Sequence, residues 1–136
     1  MSVEKIKNKH QTFAIIIRSK TAPAAVEFFT PDDFSLQMGK HNHPKGKKIP
    51  PHKHCPVTIK RKASLHEVLY IEHGQVKATF YDGKDKKIAS KILQAGDMAL
   101  LMEGGHGFEF LKPTKMIEIK QGPYMPESKK PLNLKK

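Results

Sequence analysis

Pro51-His52-Lys53-His54 and, ten residues later, Leu65-His66-Glu67-Val68-Leu69-Tyr70-Ile71-Glu72-His73-Gly74 decide how this chain is read. In extended backbone successive side chains alternate between faces, so His52 and His54 carry both imidazoles on one side with Lys53 turned away. Two neutral imidazoles side by side suit a divalent transition metal. Glu67 opens a strand-like run in which it shares a face with Leu69 and Ile71, the face assigned to the interior. A carboxylate pointing into apolar surroundings needs a partner, and a metal held by His52 and His54 would supply one. His106, in Glu103-Gly104-Gly105-His106-Gly107-Phe108, offers a fourth donor, because the small residues around it let the backbone approach closely. The expected ligand set is therefore His52, His54, Glu67 and His106, with His66 a rival to Glu67. Imidazoles with one carboxylate accept Fe, Mn, Ni, Cu or Zn alike.

The rest of the chain reads as short strands. Phe13-Ala14-Ile15-Ile16-Ile17 is apolar on both faces and predicts a strand covered on both sides. Ala24 to Phe29, bounded by Pro23 and Pro31, is too short for a long helix and is read as strand. Phe34-Ser35-Leu36-Gln37-Met38 alternates like a half-buried strand, whereas Val57 to Lys62 reads as a strand extension or a loop over the site. Val76 to Tyr81 alternates with Val76, Ala78 and Phe80 inward, between turns at Glu72 to Gln75 and Asp82 to Asp85. Lys86 to Leu93, Met98 to Leu101, Phe108 to Leu111 and Lys115 to Gln121 follow as strands, with Glu109 and Glu118 expected to face solvent. This pattern predicts an all-β sandwich or barrel.

The chain has 136 residues, 25 Lys+Arg against 13 Asp+Glu, and a formal net charge of +12. That length fits one domain, expected over residues 1–125, with 126–136 a flexible basic tail. The positive charge is distributed along the chain, and three tyrosines and no tryptophan leave little for base stacking, which argues against nucleic acid as partner. A solvated basic surface or an anionic small ligand fits better. No apolar run is long enough to span a bilayer, and residues 1–5 do not open a signal peptide, so a cytoplasmic protein is expected. The lone Cys55 agrees with a reducing compartment. It follows His54 directly, so in continuing strand it points to the opposite face. His41 and His43 repeat the His-x-His spacing, but Pro44 and Gly46 follow at once and surface positions are expected. His10 and His73 are explained by a chain-end position and a turn.

These motifs resemble the cupin superfamily, in which His-x-His precedes a Glu and, after six intervening residues, a Gly, as Glu67 and Gly74 do here. The second motif of that family is matched in part by Gly96-Asp97, Gly104 and His106, with Met102 where a proline is usual and His106 one position early. The larger departure is the twelve-residue gap between His54 and Glu67. Gly105-His106-Gly107-Phe108 followed by Ile117-Glu118-Ile119-Lys120-Gln121-Gly122-Pro123-Tyr124 is similar to small cupin metalloproteins found among surface-polysaccharide genes. The resemblance implies a cupin-type jelly-roll barrel (double-stranded β-helix) with one metal inside and a small polar ligand of the sugar-derivative kind. Two classes of function follow: a metal-dependent isomerase, epimerase or dioxygenase, with His66 or Tyr70 as candidate catalytic base, or a non-enzymatic cupin that binds or senses a ligand. It also implies a homodimer, whose interface is expected to include Phe13 to Ile17.

Overall fold

In a computed structural model, residues 2–58, 65–122 and 130–134 are described, and all their regular structure is antiparallel β. The chain divides into two compact units, Ala22–Ser64 and the remainder, formed by Met1–Thr21 with Leu65–Lys136.

The larger unit holds β1 (Val3–Asn8), β2 (Gln11–Ile17), β5 (Glu67–His73), β6 (Gln75–Tyr81), β7 (Lys87–Gln94), β8 (Met98–Leu101), β9 (Gly105–Phe110) and β10 (Lys115–Lys120). They form a five-stranded sheet in the order β1-β2-β8-β5-β10 and a three-stranded sheet in the order β7-β6-β9. From β5 onward the chain passes repeatedly between the sheets, so each sheet is built from strands distant in sequence.

The inward faces share one core. Ile6, Ala14, Ile16, Leu69, Ile71, Ala99 and Leu101 come from the larger sheet and Val76, Ala78, Phe80 and Leu93 from the smaller, with Phe108 and Met116 packed against them. The alternation of β6 is realised as read, since Val76, Ala78 and Phe80 are buried and their neighbours are not. Gly74 turns β5 into β6 at φ +98°, where a Cβ would collide with the Pro113 carbonyl and the Thr114 backbone, so the turn has room for glycine alone.

All five residues from Phe13 to Ile17 are buried in the single chain. The strand is covered on both faces, as its sequence predicts, without calling on a second copy. Strand β1 pairs with β2 through a two-residue turn in which Lys9 takes φ 54°.

The Ala22–Ser64 unit contains a two-stranded sheet, β3 (Val26–Phe28) with β4 (Gly39–His41). Phe34 to Met38, expected as a strand, is a loop instead. The Gln37 side-chain amide donates to the carbonyls of Pro31 (2.9 Å), Asp32 (3.4 Å) and Phe34 (3.0 Å), and its oxygen accepts from Thr30 Oγ1 (2.9 Å). One side chain thus satisfies backbone groups that a strand ladder would otherwise have used. Of the Val57 to Lys62 segment, Val57 and Thr58 are exposed and outside any strand, and the others lie outside the described residues.

Of the 126–136 tail, 130–134 are described. There the Leu132 side chain lies against Gly105, close enough that a Cβ on Gly105 would sit 2.7 Å from it, and the Asn133 amide donates to Asp85 Oδ2 at 2.8 Å.

Candidate metal centre

Two of the four expected ligands meet within the larger unit. Glu67 opens β5 on the face of Leu69 and Ile71, and Lys120 of β10 stands directly opposite it in the antiparallel register. His106 lies on β9 opposite Phe80, hence on the inward face of the smaller sheet. The two sheets therefore present these side chains to each other, and His106 Nε2 lies 3.4 Å from Glu67 Oε2. Donors sharing one ion, each about 2.0–2.2 Å from it, stand roughly 3 to 3.5 Å apart, so the separation suits a common metal as well as a direct hydrogen bond.

A third group on this face was missed from sequence. Glu118 is paired with Leu69 in the register, which puts it diagonally beside Glu67 on the same face, where each carboxyl affects the titration of the other. Glu118 is exposed, as its sequence context predicts, and Ile117 and Ile119 on the other face of β10 are exposed as well. The hydrogen bond with His106 is the main influence that holds the Glu67 carboxyl below the usual carboxylate range; burial opposes it, while Glu118 and the Lys120 charge assist. Glu118 moves the other way. Burial raises its pKa first, and the neighbouring Glu67 adds to the effect by hydrogen bond and by charge.

His52 and His54 belong to the Ala22–Ser64 unit. Their rings lie on the same side with centroids 5.1 Å apart, as the His-x-His spacing requires, although no strand ladder runs through them. Pro50, Pro51 and Pro56 remove three backbone donors around the pair, which explains extended backbone without pairing. His52 Nδ1 lies 2.9 Å from the Pro50 carbonyl. A carbonyl can only accept, so Nδ1 carries the proton and the Nε2 lone pair of the neutral ring is left for a ligand. Both rings are exposed, as is Cys55.

Tyr70 is on the opposite face of β5, half exposed with Val68 beneath it, and His66 is buried immediately before the strand, its backbone amide donating to Gln121 Oε1 at 3.1 Å. His41 and His43 are exposed, as expected. Within neither unit do the described residues gather three or more His, Cys, Asp or Glu side chains into a group able to hold a metal ion. Among the described residues no helix is long and apolar enough to cross a membrane. No family model, curated protein or solved structure matches this chain.

Proposed function

We propose that this protein is a metal-binding jelly roll of the cupin kind, in which Glu67 and His106 hold one divalent transition metal beside a small polar ligand, with His52 and His54 as the further ligands that the resemblance of the motifs implies. The observation that carries the reading is the 3.4 Å approach of His106 to Glu67 from facing sheets, in a chain whose His-x-His pair has its rings turned to one side. The passage of successive strands between the two sheets is what a jelly roll requires, and supports that part of the reading. Such an ion supplies Lewis acidity to a ligand oxygen when bound. The chain's own residues set the rest. Glu67 brings the negative charge, and Lys120 opposite it offers an anchor for an anionic ligand. The ligand class, a sugar derivative in surface-polysaccharide metabolism, comes from the resemblance of the motifs.

Elemental analysis of protein purified without added metal and exhaustively dialysed tests the reading. About one equivalent of a transition metal is expected, falling steeply in His106→Ala and in the His52→Ala/His54→Ala double variant. Glu67→Gln should lose less, because an amide oxygen still coordinates but the charge attraction is gone. Full occupancy in the histidine variants overturns the assignment. A melting temperature raised by nucleotide sugars in the metal-loaded protein and not in the stripped one would support the ligand class.

The homodimer belongs to the same proposal, with its interface moved. Ile117 and Ile119, 43% and 56% exposed, stand on the outward face of the edge strand β10 and are the apolar surface that a second copy would cover. Light scattering that reads a monomer at micromolar concentration removes this part.

A further inference from the structure

We infer that His41 and His43 form a second, independent chelate for a divalent transition metal, built on the β3–β4 hairpin. The pair is assembled already, for His41 Nδ1 and His43 Nε2 stand 3.1 Å apart with the ring planes at 62°. That separation is the one expected of two nitrogen donors on a common ion, each roughly 2.0–2.1 Å from it.

What distinguishes this pair from two mobile surface histidines is the backbone that carries it. His41 ends β4, in register with Val26 of β3. Asn42, between the histidines, is fastened twice: its amide donates to the Ala25 carbonyl at 2.6 Å and its side-chain Nδ2 to the Pro23 carbonyl at 2.8 Å. Pro44 restricts His43 to extended backbone, and the turn beyond it closes with the Lys47 amide on the Pro44 carbonyl at 3.2 Å, Gly46 supplying φ +87°. The His-Asn-His segment is thus extended and held from both ends, with the Asn42 side chain bound to the hairpin and the two imidazoles thrown together on the other side. The ordering cost of bringing two ligands to one ion is largely met by the fold.

The contact seen between the rings is an N–H···N hydrogen bond, one nitrogen giving the proton and the other accepting it. Chelation needs a lone pair on each facing nitrogen. A neutral donor ring reaches that state by shifting its proton to its other nitrogen, so an ion can enter without net proton release. Both rings are exposed, and Val26 opposite His41 is half exposed, so water or an outside ligand can complete the coordination.

Two imidazoles without a carboxylate favour the metals late in the divalent series, Cu2+ and Ni2+ above Mn2+ and Fe2+. The charge around the site gives it a signature of its own. No Asp or Glu occurs between Asp33 and Glu67, while Lys45, Lys47 and Lys48 follow the pair directly and are exposed. Those charges oppose a cation, and screening them should tighten binding as a non-coordinating salt is raised, the reverse of what an acidic cage shows.

The test uses the full chain carrying His52→Ala and His54→Ala, so that the site of the preceding section is disabled, and titrates it with Ni2+ by calorimetry. About one ion per chain is expected, with an affinity that improves with added perchlorate, and the further change His43→Ala should weaken it by about tenfold or more, since it removes the chelate. Far-UV circular dichroism should be unaltered, as both rings are exposed. Failure of the double variant to bind Ni2+, or undiminished binding after His43→Ala, overturns the inference. The metal content of the wild-type chain after dialysis reports separately on the four-ligand site.

Discussion

Ile16→Lys should abolish folding of the chain. Ile16 is fully buried, on the inward face of β2, with β1 on one side and β8 on the other, and packs among Ile6, Ala14, Leu69 and Leu101. A lysine there has no route to water, because the strand is interior to the sheet and its inward face is closed by the smaller sheet. An unpaired buried charge costs several kcal/mol, and the lost packing of the isoleucine adds about 1–3 more. That sum rivals the roughly 5–15 kcal/mol by which a domain is stable at all. The soluble fraction on expression and the far-UV spectrum of any recovered protein are the measurements. A folded, soluble variant with a native melting profile would contradict this, and a folded monomer in place of a dimer would return the strand to a subunit interface. Val57→Lys, at a position 79% exposed and outside any strand, serves as the control and should change stability by no more than about 0.5 kcal/mol.

Asp97→Ala should be the most damaging single loss among the polar residues described. Asp97 is 4% exposed and its carboxylate is fully engaged: Oδ2 accepts from Arg18 Nη1 (2.8 Å) and from the Gln94 amide (2.9 Å), and Oδ1 from the Ser19 amide (3.1 Å). Arg18 in turn donates to Glu4 at 2.6 Å and to the Ile92 carbonyl at 2.7 Å, and Lys91 reaches Glu4 at 3.1 Å. One carboxylate therefore ties the end of β2 to the β7–β8 turn. Removing it strands two amides and half of a guanidinium, a loss of about 3 kcal/mol that lowers the melting temperature by roughly 10 °C. Asp97→Asn, which keeps an acceptor, should lose less. The network is also sensitive to acid through Glu4. Burial pushes the Glu4 carboxyl up, but hydrogen bonds and charges from Lys91 and Arg18 together outweigh it and hold its pKa below the ordinary value. A depressed carboxylate contributes stability above its unfolded pKa and loses it as pH falls through the folded one, so the wild-type chain and Asp97→Ala should both lose the Glu4 contribution in acid. Urea melts at neutral and acid pH would show it, and a deficit below about 0.5 kcal/mol at neutral pH would mean that water replaces the network without loss.

The sequence is most legible where burial enforces a period. In β6 and β8 the inward positions are apolar because a one-residue slip would turn them to solvent, and the strands found, Gln75–Tyr81 and Met98–Leu101, match the reading closely. Alternation fails at Phe34 to Met38, where the apolar and polar order is kept but Gln37 supplies the hydrogen bonds locally, something that only the folded loop makes apparent. Strand β1 escaped notice because Ile6 is its one deeply buried residue and its charged Glu4 is bound by Arg18 and Lys91 from distant segments. Glu67 could be placed on the interior face from its own run, and His106 could be brought to it from the glycines around it. That Glu118 stands beside Glu67 could not be read, because the face each residue of β10 takes depends on its pairing with β5, and Glu118 is as exposed as the isoleucines on either side of it.

The position of β2 has a consequence for synthesis. Its neighbours in the sheet are β1, made just before it, and β8, whose first residue follows after roughly 80 more have been added. At about 5–20 residues per second the ribosome needs roughly 4 to 16 seconds to deliver that partner. Throughout that interval the β1–β2 hairpin can form but presents Ile15-Ile16-Ile17 as an unpaired edge, with neither face yet covered. The nascent chain therefore carries its most aggregation-prone segment in the open throughout that interval, and a chaperone that captures short apolar strands would find its binding site at β2, occupied early and surrendered when residues 98–101 emerge.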